Sequence, residues 1–320
     1  MRRLTIDAGE GQQDPDYRGL RDIRIMPMDY SHLRGRRPFP FTTIAVAVAF
    51  SPRLEALLAE AARLAGIFGA GLLPIHVGRR TGGKQELLDE ICGRQHLTLP
   101  RIIWREGDEV DCLLRACKEN AVDLLVLGAL RRESVLRYYL GSVARGMSRR
   151  AKCSLLLLTE PVASGTAFRR IVVNCVDHAK TRFTLDTVRY FATGTGCTDI
   201  RIARELDQTG LAMSMSDDST TAETARVRQQ LLQGEEEKLR GADCLMQVDG
   251  AAVERVVLSG RPGFAIRRYA EDCRADLLAI NSPDGLLGLI DRLFTHDMEH
   301  ILEHLPCNVL IVHSRPSGGA

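Results

Sequence analysis

The sequence predicts an α/β fold: two doubly wound parallel-sheet domains of Rossmann-like type, set in tandem. Three observations carry this. First, a stretch occurs twice: residues 106–128 read EGDEVDCLLRACKENAVDLLVLG and residues 259–281 read SGRPGFAIRRYAEDCRADLLAIN. Gly107 pairs with Gly260, Ala116 with Ala270 after a one-residue slip, and the Asp-Leu-Leu of Asp123 with that of Asp276. Each copy holds a glycine turn, an amphipathic helix and an apolar strand, and a repeat this long means two copies of one domain. Second, apolar runs of strand length alternate with helical spacing, as in parallel βαβ units. Third, 320 residues suit two domains that each bury a core.

Residues 1–40, rich in Arg, Asp, Gly and Pro, read as a flexible N-terminal arm whose Arg34–Pro38 segment has no assigned role. The first domain, 41–160, opens with Thr43–Ala49, an unbroken apolar run suited to a strand buried on both faces. Ser51-Pro52 then starts a helix, with Leu54, Leu57, Leu58, Ala61, Leu64 and Ala65 at helical spacing. Strand Leu72–Val77, helix Gln85–Arg94, strand Arg101–Arg105 and helix Val110–Asn120 follow. Strand Asp123–Gly128, helix Gly141–Arg150 and strand Ser154–Thr159 complete the domain. Pro161–Ala167 is a small-residue linker. The second domain, 168–315, repeats the order with strands Arg170–Val176, Thr198–Ala203, Val253–Leu258, Asp276–Ile280 and Asn308–His313. It carries about 26 extra residues around 207–249, read mainly as a polar helix over Thr220–Arg240 with many i,i+4 charge pairs.

Composition excludes several classes. A net charge of +2 leaves no global nucleic-acid or membrane signature. No apolar run approaches the ~20 residues that span a bilayer. The first residues lack the apolar core of a signal peptide, so the expected compartment is the cytoplasm. The nine cysteines form no Cys-x-x-Cys pair, which argues against a zinc knuckle or redox motif.

In an open parallel sheet, ligands sit beyond the carboxyl ends of the strands at the point where strand order reverses. Here the fourth strand ends at Gly128, which lets a ligand approach closely. After Gly128-Ala129-Leu130-Arg131 come nine residues, then Gly141-Ser142 opening a helix. Backbone N–H groups and a hydroxyl at a helix start favour a phosphate.

Gly-x-x-Gly, nine residues, Gly-Ser/Thr is the phosphate-loop pattern of the ATP-binding branch of the universal stress protein family, and this segment resembles it. Ala49-Phe50-Ser51-Pro52 resembles that family's Asp-Phe-Ser-Pro turn, and His76-Val77 the end of its second strand. Lys152–Leu155 and Pro306–Val309 resemble the Pro-Cys-Pro-Val that enters its last strand. The likeness covers about 41–160 and 168–315. It implies a tandem, universal-stress-like chain whose two domains pack as an intramolecular pseudo-dimer with last strands facing each other. It also implies a nucleotide site at Ala49, Val77, Gly128, Arg131, Gly141 and Ser142, with ATP or a similar anion as ligand.

The first copy departs from the pattern where Ala49 replaces the adenine-side Asp and Arg131 replaces the second glycine. An arginine there either pairs with phosphates bidentately or fills the pocket with its bulk. In the second copy Asn281, Asp284, Phe294 and Thr295 occupy the four loop positions, and only Thr295 is family-like. Val176 takes the strand-one acidic position, with Asp177 one residue on. That copy is expected not to bind a nucleotide in the family manner.

Other constellations are weaker. His296, His300 and His304 share one helix face at metal-ligand spacing, but no cysteine partner matches, and a structural reading is preferred. Residues 131–152 hold seven basic side chains against Glu133. A solvated face is preferred there over nucleic acid, and domain packing over base stacking for Tyr138 and Tyr139. There is no Gly-x-Ser-x-Gly elbow, P-loop lysine or Gly-x-Gly-x-x-Gly after the first strand. The expected function is that of a cytoplasmic, non-enzymatic stress-response protein binding a nucleotide in its first domain, with protein partners and a further homodimer as open possibilities. The competing expectation is a ligand-free interaction scaffold with both sites degenerate.

Overall fold

The structure is a computed structural model; it describes residues 35–36, 38–97, 101–131, 138–178, 180–206, 221–243, 246–282, 298–313 and 315–316. The first half contains β1 Gly35–Arg36, β2 Thr43–Ala47, α1 Leu54–Phe68, β3 Gly71–Val77, α2 Gly82–Arg94, β4 Ile103–Arg105 and α3 Glu109–Glu119. It continues with β5 Leu124–Gly128, β6 Leu130–Arg131, β7 Tyr138–Tyr139, α4 Ser142–Arg150 and β8 Ser154–Leu158. The second half contains β9 Arg170–Asn174, α5 Thr181–Thr195, β10 Asp199–Glu205, α6 Thr221–Asp243 and β11 Ala252–Leu258. After these come α7 Phe264–Asp272, β12 Leu277–Asn281, β13 Asn308–Val312 and β14 Arg315–Pro316.

Ten strands form one sheet in the order β11-β10-β9-β12-β13-β8-β5-β2-β3-β4. Each half places its first strand between its second and its fourth, the doubly wound arrangement. Neighbours are parallel within each half, while β8 and β13 meet antiparallel, with Leu156 opposite Leu310. The last strands therefore join the halves edge to edge. Both faces are covered, as continuous apolar strands require. Ile44, Val46, Ile171 and Val173 face a core under α1, α2, α5 and α6. Ala45, Leu125, Val172 and Ile280 face a second core under α3, α4, α7 and helical residues 298–303.

The repeat has a local cause in each of its parts. Asp108 caps α3, its carboxylate accepting the Asp111 N–H at 2.9 Å, with Glu109 and Asp111 favourable at the positive helix end. Gly107 (φ 138°) and Gly260 (φ 154°) make the preceding turn in a backbone region that disfavours side chains. Asp123 and Asp276 stand just before their strands rather than inside them, because their carboxylates bind backbone N–H groups at the start of β2 and β9.

Three other expectations need correction. The end of the N-terminal arm is not free: Pro38 and Phe39 are buried, Phe39 stacks on Tyr190 at 5.2 Å, and Gly35–Arg36 pairs with Arg315–Pro316. Ser51-Pro52 precedes α1, whose N-cap is Arg53, because Ser51 N–H folds back to the Ala49 carbonyl. The stretch after Gly128 is not all loop: β6 and β7 form an antiparallel pair, Leu130 opposite Tyr139. Residues 1–34, 207–220 and 283–297, which carry most of the arm and the second-copy loop, lie outside the described residues.

Candidate functional site

Ala49, Val77 and Gly128 lie at the carboxyl ends of β2, β3 and β5, three adjacent strands at the reversal of strand order. Ala49, Gly128 and Ser142 are exposed, and Val77 and Gly141 half-buried, so this end of the sheet is open to solvent. Gly141 is the N-cap of α4 in extended conformation, with no side chain bonded to the first turn and no acidic residue in it. The helix thus presents its positive end beside Gly128. A Cβ on Gly141 would stand 2.7 Å from Leu130 Cδ1, so glycine is what lets the loop close over the helix start. The Arg131 backbone pairs with Tyr138, but its side chain and residues 132–137 fall outside the described residues, and both readings of Arg131 fall with them.

Sequence reasoning missed Arg53. Its Nη1 donates to the carbonyls of Ala129 and Thr159, both at 3.0 Å, and its guanidinium lies 5.4 Å from the Tyr138 ring centroid. It ties the turn after β2 to the loop after β5 and to the end of β8. An arginine after Ser-Pro in a helix pattern gives no signal of this. Tyr138 in turn bonds the second half, its carbonyl accepting from Leu305 N–H at 3.0 Å.

On the β3 side, His76 is buried. Lys84 Nζ stands 3.1 Å from His76 Nε2, so Nδ1 carries the hydrogen that the Val48 carbonyl accepts at 2.8 Å. Phe50 meets this imidazole edge-on at 4.8 Å, and Trp104 meets it at 5.1 Å. His76 is thereby a packed, hydrogen-bonded strand-end residue.

The second half places different chemistry at the equivalent strand ends. Asn281, at the end of β12 where the first half has Gly128, is 1 % exposed. Its amide donates to Thr181 Oγ1 at 3.0 Å while its carbonyl oxygen accepts from Thr184 Oγ1 at 2.5 Å. Buried Lys180 donates to Ser282 Oγ at 3.1 Å. Next to them His313, beyond β13, is held down to about 3 by burial and by the charges of Lys180 and Lys152. Asp177 pairs with Arg204 at 3.2 Å and Lys238 at 3.3 Å, and Arg204 also pairs with Glu235, so the acid near the strand-one position is engaged by α6 and β10. Where one half is open, the other is filled by its own polar side chains.

Among the described residues no cluster of His, Cys, Asp and Glu is arranged to hold a metal, and no helix is long and apolar enough to cross a membrane. His300 packs at 4.3 Å on Phe264, and His296 falls outside the described residues.

The sequence profile of the universal stress protein family matches residues 84–159 and 207–313, more than half of the chain and once in each half. The chain belongs to the universal stress protein family. Its fold is shared by a solved structure described as a universal stress protein from Pseudomonas aeruginosa UCBPP-PA14, at 15% identity and TM-score 0.60, over 86% of this chain and 94% of that one. A functionally unknown protein from Pseudomonas aeruginosa PAO1 gives 15% identity and TM-score 0.60 over 86% and 93%. A universal stress protein from Archaeoglobus fulgidus DSM 4304 gives 15% and 0.53 over 88% and 100%. At such identities the likeness speaks for the fold alone. A comparison with curated proteins gives no match. As a tandem universal stress protein, the chain holds two family domains whose equivalent strand ends carry different side chains.

Proposed function

We propose that this universal stress protein is a non-enzymatic, cytoplasmic stress-response protein whose first half binds an adenine nucleotide such as ATP, or a similar anion. The observation that supports the reading is the contrast between the halves: exposed Gly128 and Ser142 beside an uncapped α4, against buried Asn281 and Lys180. A phosphate placed at Gly141-Ser142 would meet the first-turn N–H groups of α4. Ala49 offers no carboxylate to an adenine or ribose, so binding is weaker than in relatives with Asp there.

Acid extraction of the purified protein and a melting series with ATP test this. Ligand that binds the folded state must raise Tm with concentration, by about 1.4 kcal/mol of stability at ten times Kd. The expected result is a dose-dependent rise in the wild type that Gly141→Glu abolishes, with no ATP turnover above a Ser142→Ala control. Equal absence of shift in both proteins rejects the site. It would leave the competing expectation, a ligand-free interaction scaffold.

A further inference from the structure

The far edge of the first half holds a cavity of about 790 Å³ that the strand-end site does not use. Its walls are the edge strand β4, α2 and the end of α3, and it is lined by Arg80, Asp89, Arg101, Trp104, Arg105 and Glu119 among others. Three guanidinium groups thus meet two carboxylates. Arg105 pairs with Glu119 at 2.5 Å, yet its Nε is buried and finds no acceptor among the described residues. Arg80 reaches Gln85 Oε1 at 3.1 Å and lies 5.9 Å from the Trp104 ring centroid. Arg101 is exposed and makes no hydrogen bond or ion pair among the described residues. The backbone adds to this. Arg105 O accepts from Gly78 N–H, so the alternation of a parallel ladder turns the Trp104 N–H and C=O outward, to the open edge.

An indole flanked by a guanidinium, an unsatisfied buried donor, an unpaired arginine and outward-facing peptide groups form one set. They suit a ligand with a flat ring, an anionic group and polar edges. The volume is that of a small-molecule site. We propose that this edge groove binds a flat-ring anion of nucleoside monophosphate size. The ring lies against Trp104 beside Arg80, and the phosphate or carboxylate meets Arg101 and Arg105 Nε. This site is separate from Gly128 and Gly141 and does not depend on them.

Trp104 is the chain's single tryptophan, so its fluorescence reports on the groove directly. AMP, UMP and benzoate supply ring and anion together; adenosine and inorganic phosphate supply one part each. At least one of the first three is expected to quench Trp104 saturably in the wild type and in Gly141→Glu with the same midpoint. Arg101→Glu is expected to raise that midpoint about tenfold, the equivalent of 1.4 kcal/mol. Adenosine should quench more weakly, and phosphate should compete without quenching. Arg101 is exposed, and unfolding midpoints verify that its variant folds; Arg101→Gln serves if it does not. No saturable response to any of the three ring anions overturns the proposal, as does a response unchanged in the Arg101 variants. A response lost in Gly141→Glu but kept in Arg101→Glu assigns the signal to the strand-four loop and rejects the groove.

Discussion

Asp123 and Asp276 hold the same post in the two halves: each carboxylate gathers the backbone N–H groups that open its own domain's first strand. Asp123 Oδ2 accepts from Thr43 N–H at 3.0 Å, from Thr42 N–H and from the Thr42 hydroxyl at 2.6 Å. Asp276 Oδ2 accepts from Arg169 and Arg170 N–H at 2.9 and 2.8 Å. Replacing either by alanine strands donors that lose both the carboxylate and easy access to water. A loss of about 2–4 kcal/mol is expected for Asp123→Ala, and less for Asp276→Ala, from the cost of unmet buried donors. Asparagine keeps an accepting oxygen and should recover part of it. Urea unfolding of the four variants measures this, and an Asp276→Ala loss exceeding that of Asp123→Ala would contradict the account.

Gly194 of α5 lies against Phe68 of α1, across the line between the halves. A Cβ there would stand 2.4 Å from Phe68 Cε1 and 3.2 Å from Ile67 Cγ2. Phe68 is pinned in turn by Phe41, Tyr190 and Phe191, with ring centroids 5.0–5.6 Å apart, so the ring cannot swing aside freely. Gly194→Ala should cost about 1–3 kcal/mol through overpacking despite alanine's better helix propensity. Trimming the ring with Phe68→Leu should make the alanine less harmful. A double-mutant cycle reads that coupling, and strictly additive losses would show that the contact yields elsewhere.

His313 gives the fold a pH dependence of definite sign. Its folded value of about 3 lies below the 6.5 of an exposed histidine, because burial and the Lys180 and Lys152 charges oppose the imidazolium. The unfolded chain therefore takes up a proton between these values that the folded chain refuses. The stability linked to His313 is complete above pH ~6.5 and falls as the solution is acidified toward pH ~3, by about 2 kcal/mol from pH 7 to pH 5. His313→Gln should flatten that part of the stability curve. Chemical denaturation at a series of pH values decides it, and identical slopes for both proteins would refute the assignment.

Much of the fold was legible because its signals are local. Continuous apolar strands and the helical spacing of Leu54, Leu57, Leu58 and Ala61 carry their reason in neighbouring residues. The Asp-Leu-Leu entry instead showed as a repeated motif whose carboxylate partners lie far along the chain. The tandem form followed from the repeat, and the family from the loop after Gly128 and the short motifs around the strand ends. What stayed hidden depends on partners far along the chain. Phe39 looked like part of an arm because Tyr190, which stacks on it, lies some 150 residues away. The tie made by Arg53 needs carbonyls at Ala129 and Thr159, and carbonyls have no sequence signature. The β6–β7 pair was missed because two-residue strands are too short for periodicity. The expected strand-end positions Gly128, Gly141 and Ser142 came from spacing, and Ala49 and Val77 from the resemblance alone. The polar filling of the second half was missed, since Lys180, Thr181 and Thr184 meet Asn281 and Ser282 only through the parallel crossover.

The antiparallel meeting of β8 and β13 has a consequence for how the molecule can vary. When two separate identical chains meet through such an edge, any substitution appears twice and dilution can part them. Here the partner is supplied by the same polypeptide, so the local concentration of one edge for the other is fixed by the linker rather than by expression level. Each half is also free to accumulate its own changes. A lysine can be buried at one end of the sheet while a glycine stays bare at the other, with neither choice imposed on its counterpart.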